Sequence, residues 1–411
     1  MTDTHTDTDW GVLAARWIDR LAEVSEHGPG VTRLPFTPEH RAVLPLLTEL
    51  MEDAGLDVRM DAAGTLIGRR AGPAGAPTLL LGSHQDSVRQ GGAYDGAMGV
   101  VLPALALQAL RGVALPFAVE VLAFADEEGV RFPTALMGPR ALAGTFDPQV
   151  LKLTDPDGVT LRAAMEGFGL DPDALAGLRR DPADVLGWIE CHIEQGPVLE
   201  GAGEALGIVT AICGIERHGL RWTGQAAHAG TVPMAQRRDA LAGAAELVSA
   251  VEARARATEG LLATVGALRV SPGVVNAVPG AVEMTVEVRA PVDAVREAAG
   301  AALTEAAHAI ARARGLGLEM TRSYAQAATP CDEGLQDALA DAVRATGGRG
   351  LRLASGASHD TSAMGDLCPV AMIFLACRDG VSHNPAEYCA PDVMGRAVAA
   401  LVALLPRLHT A

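Results

Sequence analysis

The chain has 411 residues, room for two to three domains at about 150 each, and 49% of them are hydrophobic, enough for a sizeable core. Aromatics are only 3%, so that core must be built from Ala, Val and Leu, and with a net charge of −17 the chain has neither the stacking rings nor the basic surface for nucleic acid. Lys152 is the only lysine among 33 basic residues; set between Leu151 and Leu153, it offers neither a P-loop nor a Schiff-base site.

Residues 1–9 lack the basic and apolar regions of a signal peptide. The apolar stretches Ala97–Leu107 and Cys368–Cys377 fall short of the roughly 18 residues of a membrane span. Six cysteines without CxxC spacing read as reduced, mostly buried thiols, so no membrane attachment and a cytoplasmic location are expected.

In chain order, Trp10–Val24 and Pro38–Ala54 have helical periodicity, and Val58–Met60 and Leu66–Ile67 read as short strands around a turn at residues 61–64. Thr78–Gly82 and Ala118–Phe124 are continuous apolar runs, the pattern of strands covered on both faces, with a helix over Gly96–Leu110 between them and another closing at Arg140–Gly144. Such alternation predicts an α/β fold with a mixed or parallel sheet. After residue 209 the pattern changes to strand Gly219–Gly224, helix Asp239–Ala257, strands Ala263–Val270 and Ala281–Arg289, and helix Asp293–Arg314. Val282, Met284, Val286 and Val288 share one strand face, which predicts an open sheet with helices on one side, hence a separate α+β domain. From Cys331 the first pattern resumes with helix Gly334–Ala345, strand Ala371–Cys377 and helix Met394–Leu408. The expected organisation is a catalytic domain over 1–211 and 329–411, with a smaller lid and dimerisation domain over 212–328 inserted.

The chemistry collects where apolar strands end. His84 and Asp86 follow the first apolar run, with Asp95 a little further on; Asp126, Glu127 and Glu128 follow the second; His192 and His383 lie in two later stretches, 190–197 and 380–385. Imidazoles and carboxylates in that order suit zinc, manganese, cobalt or nickel, and a two-metal centre needs about five or six such ligands. Asp86 is placed to take the second imidazole proton of His84. Of two adjacent glutamates, one can hold metal while its neighbour takes a proton from water. His5, His27, His40, His218, His308 and His409 read as ordinary structural or surface histidines.

At these residues the sequence resembles the M20 metallopeptidase-like superfamily, and within it the N-carbamoyl-L-amino-acid and allantoate amidohydrolase branch. The likeness runs from 82–84 to the Ser-His-Asn-Pro-Ala-Glu-Tyr stretch at 382–388. It implies a di-metal catalytic domain with an inserted α+β domain, a homodimer formed through that domain, and two divalent ions. Carried over by motif, His84 and His383 each terminate one metal, Asp95 bridges the pair, Glu128 and His192 complete the ligands, and Glu127 is the general base. A histidine at 192, where the peptidase branch has a carboxylate, favours the ureido-hydrolysing branch. His228 resembles the group that stabilises the developing oxyanion, and Asn276, Arg289 and Gln195 resemble substrate contacts. The family's Ser-Gly-Ala-Gly-His-Asp-Ala is here residues 355–361 with Ser358 and Thr361, which opens the question of substrate identity. Cys191, beside His192, is a candidate oxidation-sensitive thiol. The expected reaction is hydrolysis of a terminal ureido group, most simply of an N-carbamoyl-L-amino acid; allantoate hydrolysis, dipeptidase or aminoacylase activity, and a non-catalytic binding role are the alternatives.

Overall fold

Helix α1 (Trp10–Ala22) begins where the Asp9 carboxylate accepts the N–H groups of Gly11 and Val12, and α2 (Pro38–Asp53) where Thr37 accepts from His40 and Pro38 takes the first turn. The computed structural model describes residues 8–408, so His5 and His409 lie outside the described residues. Next come β1 (Asp57–Met60), β2 (Leu66–Arg70), β3 (Thr78–His84), α3 (Ala97–Ala109), β4 (Ala118–Phe124), α4 (Met137–Ala143), α5 (Leu161–Phe168), β5 (Val185–Ile193), α6 (Val198–Ala202) and β6 (Leu206–Ile212). A middle run holds β7 (Gly214–Thr223), β8 (Ala227–His228), α7 (Ala240–Arg256), β9 (Leu262–Ser271), β10 (Ala277–Val278), β11 (Ala281–Ala290), α8 (Asp293–Arg314) and β12 (Gly317–Gln326). The last run is β13 (Thr329–Pro330), α9 (Glu333–Ala345), β14 (Leu351–Ser355), α10 (Asp360–Met364), β15 (Val370–Leu375) and α11 (Pro391–Leu404). Two compact units result, one made by 8–210 with 330–408, the other by 211–329.

The larger unit is built on a nine-stranded sheet in the order β1-β2-β4-β3-β5-β15-β6-β13, with β14 also pairing β6. Its centre, β4, β3, β5 and β15, is parallel, whereas the β1·β2, β2·β4 and β15·β6 pairings are antiparallel. The mixed sheet expected from the apolar runs is therefore present, and β3, β4 and β15 are buried throughout. Alternate side chains enter opposite cores. Leu79, Leu81, Val119, Val121, Ile189, Cys191 and Ile373 join one core, and Leu80, Leu122, Phe124 and Trp188 the other. His84, Glu190 and His192 fall in register with the second set, so the sheet's own period sends them to one face. Residues 147–184 hold a run of short helices. Lys152 itself is exposed there and donates to Gln149 at 2.7 Å.

The smaller unit is a four-stranded antiparallel sheet, β12-β7-β11-β9. Val282, Met284, Val286 and Val288 are buried with Trp222, Leu247 and Leu303 beneath α7 and α8, as their alternation predicted. Two features differ from the sequence reading: β7 begins at Gly214, and β12 adds a fourth strand. That strand is exposed along most of its length, and its apolar row stops after Leu318 and Met320, too short for a hydropathy pattern to register. Among the described residues no helix is long and apolar enough to cross a membrane.

Gly82 ends the apolar run of β3 at φ +146, and a Cβ there would lie 2.1 Å from the Leu122 carbonyl oxygen of β4. Gly82→Ala is expected to lose stability by more than the about 1–3 kcal/mol of a strained backbone conformation alone, since β3 and β4 must also part. Denaturant unfolding with an unchanged midpoint would contradict this packing.

Candidate metal centre and active site

The sheet delivers its polar residues to the carboxyl ends of its central parallel strands. His84 is the last residue of β3, opposite Phe124 of β4, and His192 lies near the end of β5, opposite Phe374 of β15. Asp95 immediately precedes the glycine that opens α3; Gly96 takes φ +67, and a Cβ at that position would fall 2.4 Å from the His84 ring. Glu127 and Glu128 follow β4, and His383 follows β15 in a backbone conformation with φ +53.

These side chains converge on Asp95. Its Oδ1 lies 3.0 Å from His192 Nε2 and 3.4 Å from His84 Nε2, and its Oδ2 lies 3.3 Å from His383 Nε2. Glu128 approaches His383 Nε2 to 3.7 Å. His84 Nδ1 faces the Asp86 carbonyl at 3.0 Å and His192 Nδ1 the Ile193 carbonyl at 2.9 Å, so both rings spend their Nδ1–H on backbone and turn Nε2 toward Asp95. Asp86 does more than the expected orientation of His84. Its carboxylate, 3.4 Å from His84 Nδ1, also accepts the backbone N–H groups of Glu127 at 3.1 Å and Glu128 at 3.2 Å, tying the ends of β3 and β4 together.

The electrostatics are those of a site built for positive charge. Burial opposes charge on His84 and His192, yet Asp86 and Asp95 overcome it at the first and Asp95 at the second, raising both pKa values. The Asp95 hydrogen bond raises His383 to about 9. Burial alone would raise Asp95, but His192, His383 and His84 hold it well below the ordinary carboxylate range. Burial, with Asp95 nearby, lifts Glu128 to about 7, and burial, with Glu128, Asp360 and Asp86 adding to it, pushes Glu127 well up.

A divalent cation satisfies the same demands. Three imidazole nitrogens and the Glu128 carboxylate face Asp95, and Glu128 Oε1 is buried with no hydrogen-bond partner. The donor atoms of His84, Asp95 and His192 lie within 4.8 Å of one another, as do those of Asp95, Glu128 and His383, and those of His84, Glu127 and Glu128. The first two groups share Asp95, which is the topology of two cations joined by one carboxylate. The donor set fits.

A polar layer unassigned from sequence lies beneath. Glu190, two residues before His192 and on the same strand face, accepts Ser83 Oγ at 2.7 Å, Thr361 Oγ1 at 2.6 Å and Thr361 N at 3.0 Å. His359 packs edge-on to His192 with ring centroids 4.4 Å apart and its Nε2 2.8 Å from Ser355 Oγ. Asp126 and Asp360 are fully buried, and burial pushes both carboxyls well up. The period-two spacing of Glu190 and His192 is the signal that identifies the first of these. Cys191, between them, points into the opposite core, fully buried, and burial drives its thiol pKa up. This corrects the expectation of an oxidation-sensitive neighbour; the thiol is packing.

Gln195, at φ +57, donates its amide to Asp95 Oδ2 at 2.8 Å and Ser382 Oγ at 3.1 Å, while its Oε1 is buried without a partner. In the smaller unit, β8 pairs with β10 so that His228 stands opposite Ala277, and the Asn276 backbone carbonyl accepts the Ala229 N–H at 2.9 Å, which joins the two segments carrying His228 and Asn276. Gly230 N–H donates to His228 Nδ1 at 3.1 Å, leaving the ring proton on Nε2. Arg289, at the end of β11, is half-buried and paired with Glu287 at 2.6 Å rather than standing in solvent. Of the histidines read as ordinary, His40 is buried against Phe168, His218 pairs with Glu216 at 2.6 Å, and His27 and His308 are exposed.

Residues 80–407 match Peptidase family M20/M25/M40, and the chain belongs to this metal-dependent hydrolase family. Within it, the chain is 42% identical over 384 residues to an N-carbamoyl-L-amino acid amidohydrolase of Geobacillus stearothermophilus, covering 92% of this chain and 94% of that one. It is 35% identical over 439 residues to an allantoate deiminase of Arabidopsis thaliana, covering 98% and 84%. A solved structure from Burkholderia multivorans, described as an amidase of the hydantoinase/carbamoylase family, superposes with a TM-score of 0.91 at 32% identity over 97% of both chains.

Asp86→Ala removes the acceptor shared by the Glu127 and Glu128 backbones and by His84. Metal affinity is expected to fall about 10–100-fold, read as metal retained per chain after dialysis. Full retention would show that Asp86 does not support the site.

Proposed function

We propose that this chain hydrolyses the terminal ureido group of an N-carbamoyl-L-amino acid, giving ammonia, carbon dioxide and the amino acid. The observation that carries the reading is the convergence of His84, His192 and His383 on the one carboxylate of Asp95. In this reading His84, Asp95, Glu128, His192 and His383 would hold two divalent ions, zinc or manganese, cobalt or nickel. When bound, the ions would supply Lewis acidity that lowers the pKa of water and polarises the ureido carbonyl.

The chain's residues then act as follows. Glu127, whose burial raises its affinity for a proton, takes one from water as the water oxygen attacks the carbonyl carbon, and returns it to the departing nitrogen as the C–N bond breaks. Ammonia leaves, and the carbamate that remains loses carbon dioxide. His228, with its proton on Nε2, donates to the oxygen as negative charge gathers there. Gln195 Oε1 accepts from the ureido N–H, its amide nitrogen being committed to Asp95. Asn276 and the Arg289 guanidinium hold the substrate's polar groups and carboxylate. Division of labour between a catalytic domain and a smaller domain inserted over 212–328 underlies this scheme.

Allantoate is the second reading, favoured by similarity to the Arabidopsis allantoate deiminase. Two copies of the chain are proposed to associate through the smaller unit. Its edge strand β9 exposes Leu262 at 58% and the loop after it Val275 fully, apolar surface of the kind that edge pairing covers. Six unpaired cysteines suit a reducing compartment, the cytoplasm.

Ammonia release from a panel of N-carbamoyl-L-amino acids, allantoate and dipeptides tests the assignment, with metal content measured on the same sample. Turnover of the first class is expected; turnover of dipeptides alone would overturn it. Glu127→Gln should keep its metal and lose at least about 100-fold in kcat, and near-wild-type turnover would refute the base. Arg289→Ala should raise KM for a carboxylate-bearing substrate by about tenfold or more with a smaller change in kcat; an unchanged KM would remove Arg289 from substrate binding.

A further inference from the structure

Glu387 and Ser382 take no part in the chemistry above, yet both are wired to Asp95. Glu387 is buried, with 5% exposure. Its Oε1 accepts the backbone N–H groups of Tyr94 at 2.9 Å and of Asp95 at 3.0 Å. Its Oε2 lies 3.0 Å from Ser382 Oγ, and that hydroxyl lies 2.9 Å from Asp95 Oδ2. Gln195 Nε2 closes the circuit, 3.1 Å from Ser382 Oγ and 2.8 Å from the same Asp95 oxygen. One acidic side chain thereby holds Asp95 at its backbone directly, and Ser382 Oγ, with one proton to give, stands between the two carboxylates.

A carboxyl group that only capped the turn at 93–95 would need the two backbone contacts and nothing more. The link through Ser382 reaches the tip of Asp95, where rotation has consequences. Oδ1 faces His84 and His192 while Oδ2 faces His383, and turning the carboxylate about its last bond would end both relations at once. Burying Glu387 is costly unless its oxygens are occupied. Here its carboxylate serves the backbone of Tyr94 and Asp95 and the hydroxyl of Ser382.

We propose that Glu387 and Ser382 are positioning residues that lock the Asp95 carboxylate at the rotation in which its two oxygens face different imidazoles. The inference rests on Asp95 being a metal ligand, as read above. Hydrogen bonding, not the charge of Glu387, does the locking, and glutamine therefore substitutes for it. Its carbonyl keeps the two backbone N–H groups and its amide offers an N–H to Ser382 Oγ.

The test uses the whole chain, stripped with a chelator and titrated with zinc against a competing fluorescent chelator, with kcat and KM for the ureido substrate measured alongside. Glu387→Ala and Ser382→Ala are expected to weaken zinc binding about 10–100-fold and to lower kcat more than they raise KM. Glu387→Gln should recover zinc binding to within about threefold of the native chain. Native zinc affinity in both alanine variants overturns the proposal. So does a glutamine variant as weak as the alanine one, because charge would then be the working property. If Glu387→Ala does not fold by circular dichroism, Ser382→Ala, which removes one hydroxyl, carries the same comparison. Asp95→Asn separates the two levels: weakened zinc binding there beside native binding in the Glu387 and Ser382 variants refutes the lock alone, whereas native binding in Asp95→Asn refutes the ligand reading beneath it.

Discussion

Asp95 has three imidazole nitrogens within 3.4 Å, and two of those rings have already given their other nitrogen to a backbone carbonyl. A neutral ring held that way turns a lone pair toward the carboxylate, and two lone-pair-bearing groups at that distance repel. Positive charge between them is what makes the geometry favourable, whether carried by protons on the rings or by a cation that replaces them. Much of the larger unit serves to make this otherwise unfavourable approach unavoidable. Four parallel strands end together, a glycine before α3 lets Asp95 come under His84, and Asp86 staples the turn after β4 to the end of β3.

The cost of that approach is spread through the protein beneath it. Glu190, His359, Asp126 and Asp360 are almost wholly removed from water. Of these, Glu190 is fully engaged by Ser83 and Thr361, and His359 is anchored by Ser355 and packs edge-on to His192. Burial pushes Asp126 and Asp360 toward the neutral form where several carboxylates already crowd. His359 stiffens the ligand above it, because the His192 ring meets His359 on one side and Asp95 on another.

Much of this was legible from residue order because polar residues that follow a buried apolar run have few places to go. His84 after β3 and Glu127 and Glu128 after β4 stand at strand ends for that reason, and the inward face of β11 was readable from Val282, Met284, Val286 and Val288. What escaped did so for equally physical reasons. Glu190 and His359 sit inside apolar or glycine-rich stretches where hydropathy reads burial but not partnership. Cys191 was drawn to the site by its sequence neighbour, while strand alternation sends it to the other side of the sheet. The strand β12 packs a row of two side chains, Leu318 and Met320, partly against the core, so its pairing with β7 is what defines it. Arg289 was legible as a strand-end arginine, but its partnership with Glu287 depends on how two side chains on one face lean toward each other.

The solitary lysine has a practical meaning beyond the chemistries it excludes. Lys152 is solvent-exposed on a short helical turn and donates to Gln149 three residues earlier. Reagents that couple to primary amines therefore meet one side-chain target, besides the amino terminus of the chain. A tether, dye or support attached through that amine would be joined at a defined point on the larger unit, without touching the histidines and carboxylates gathered at its strand ends.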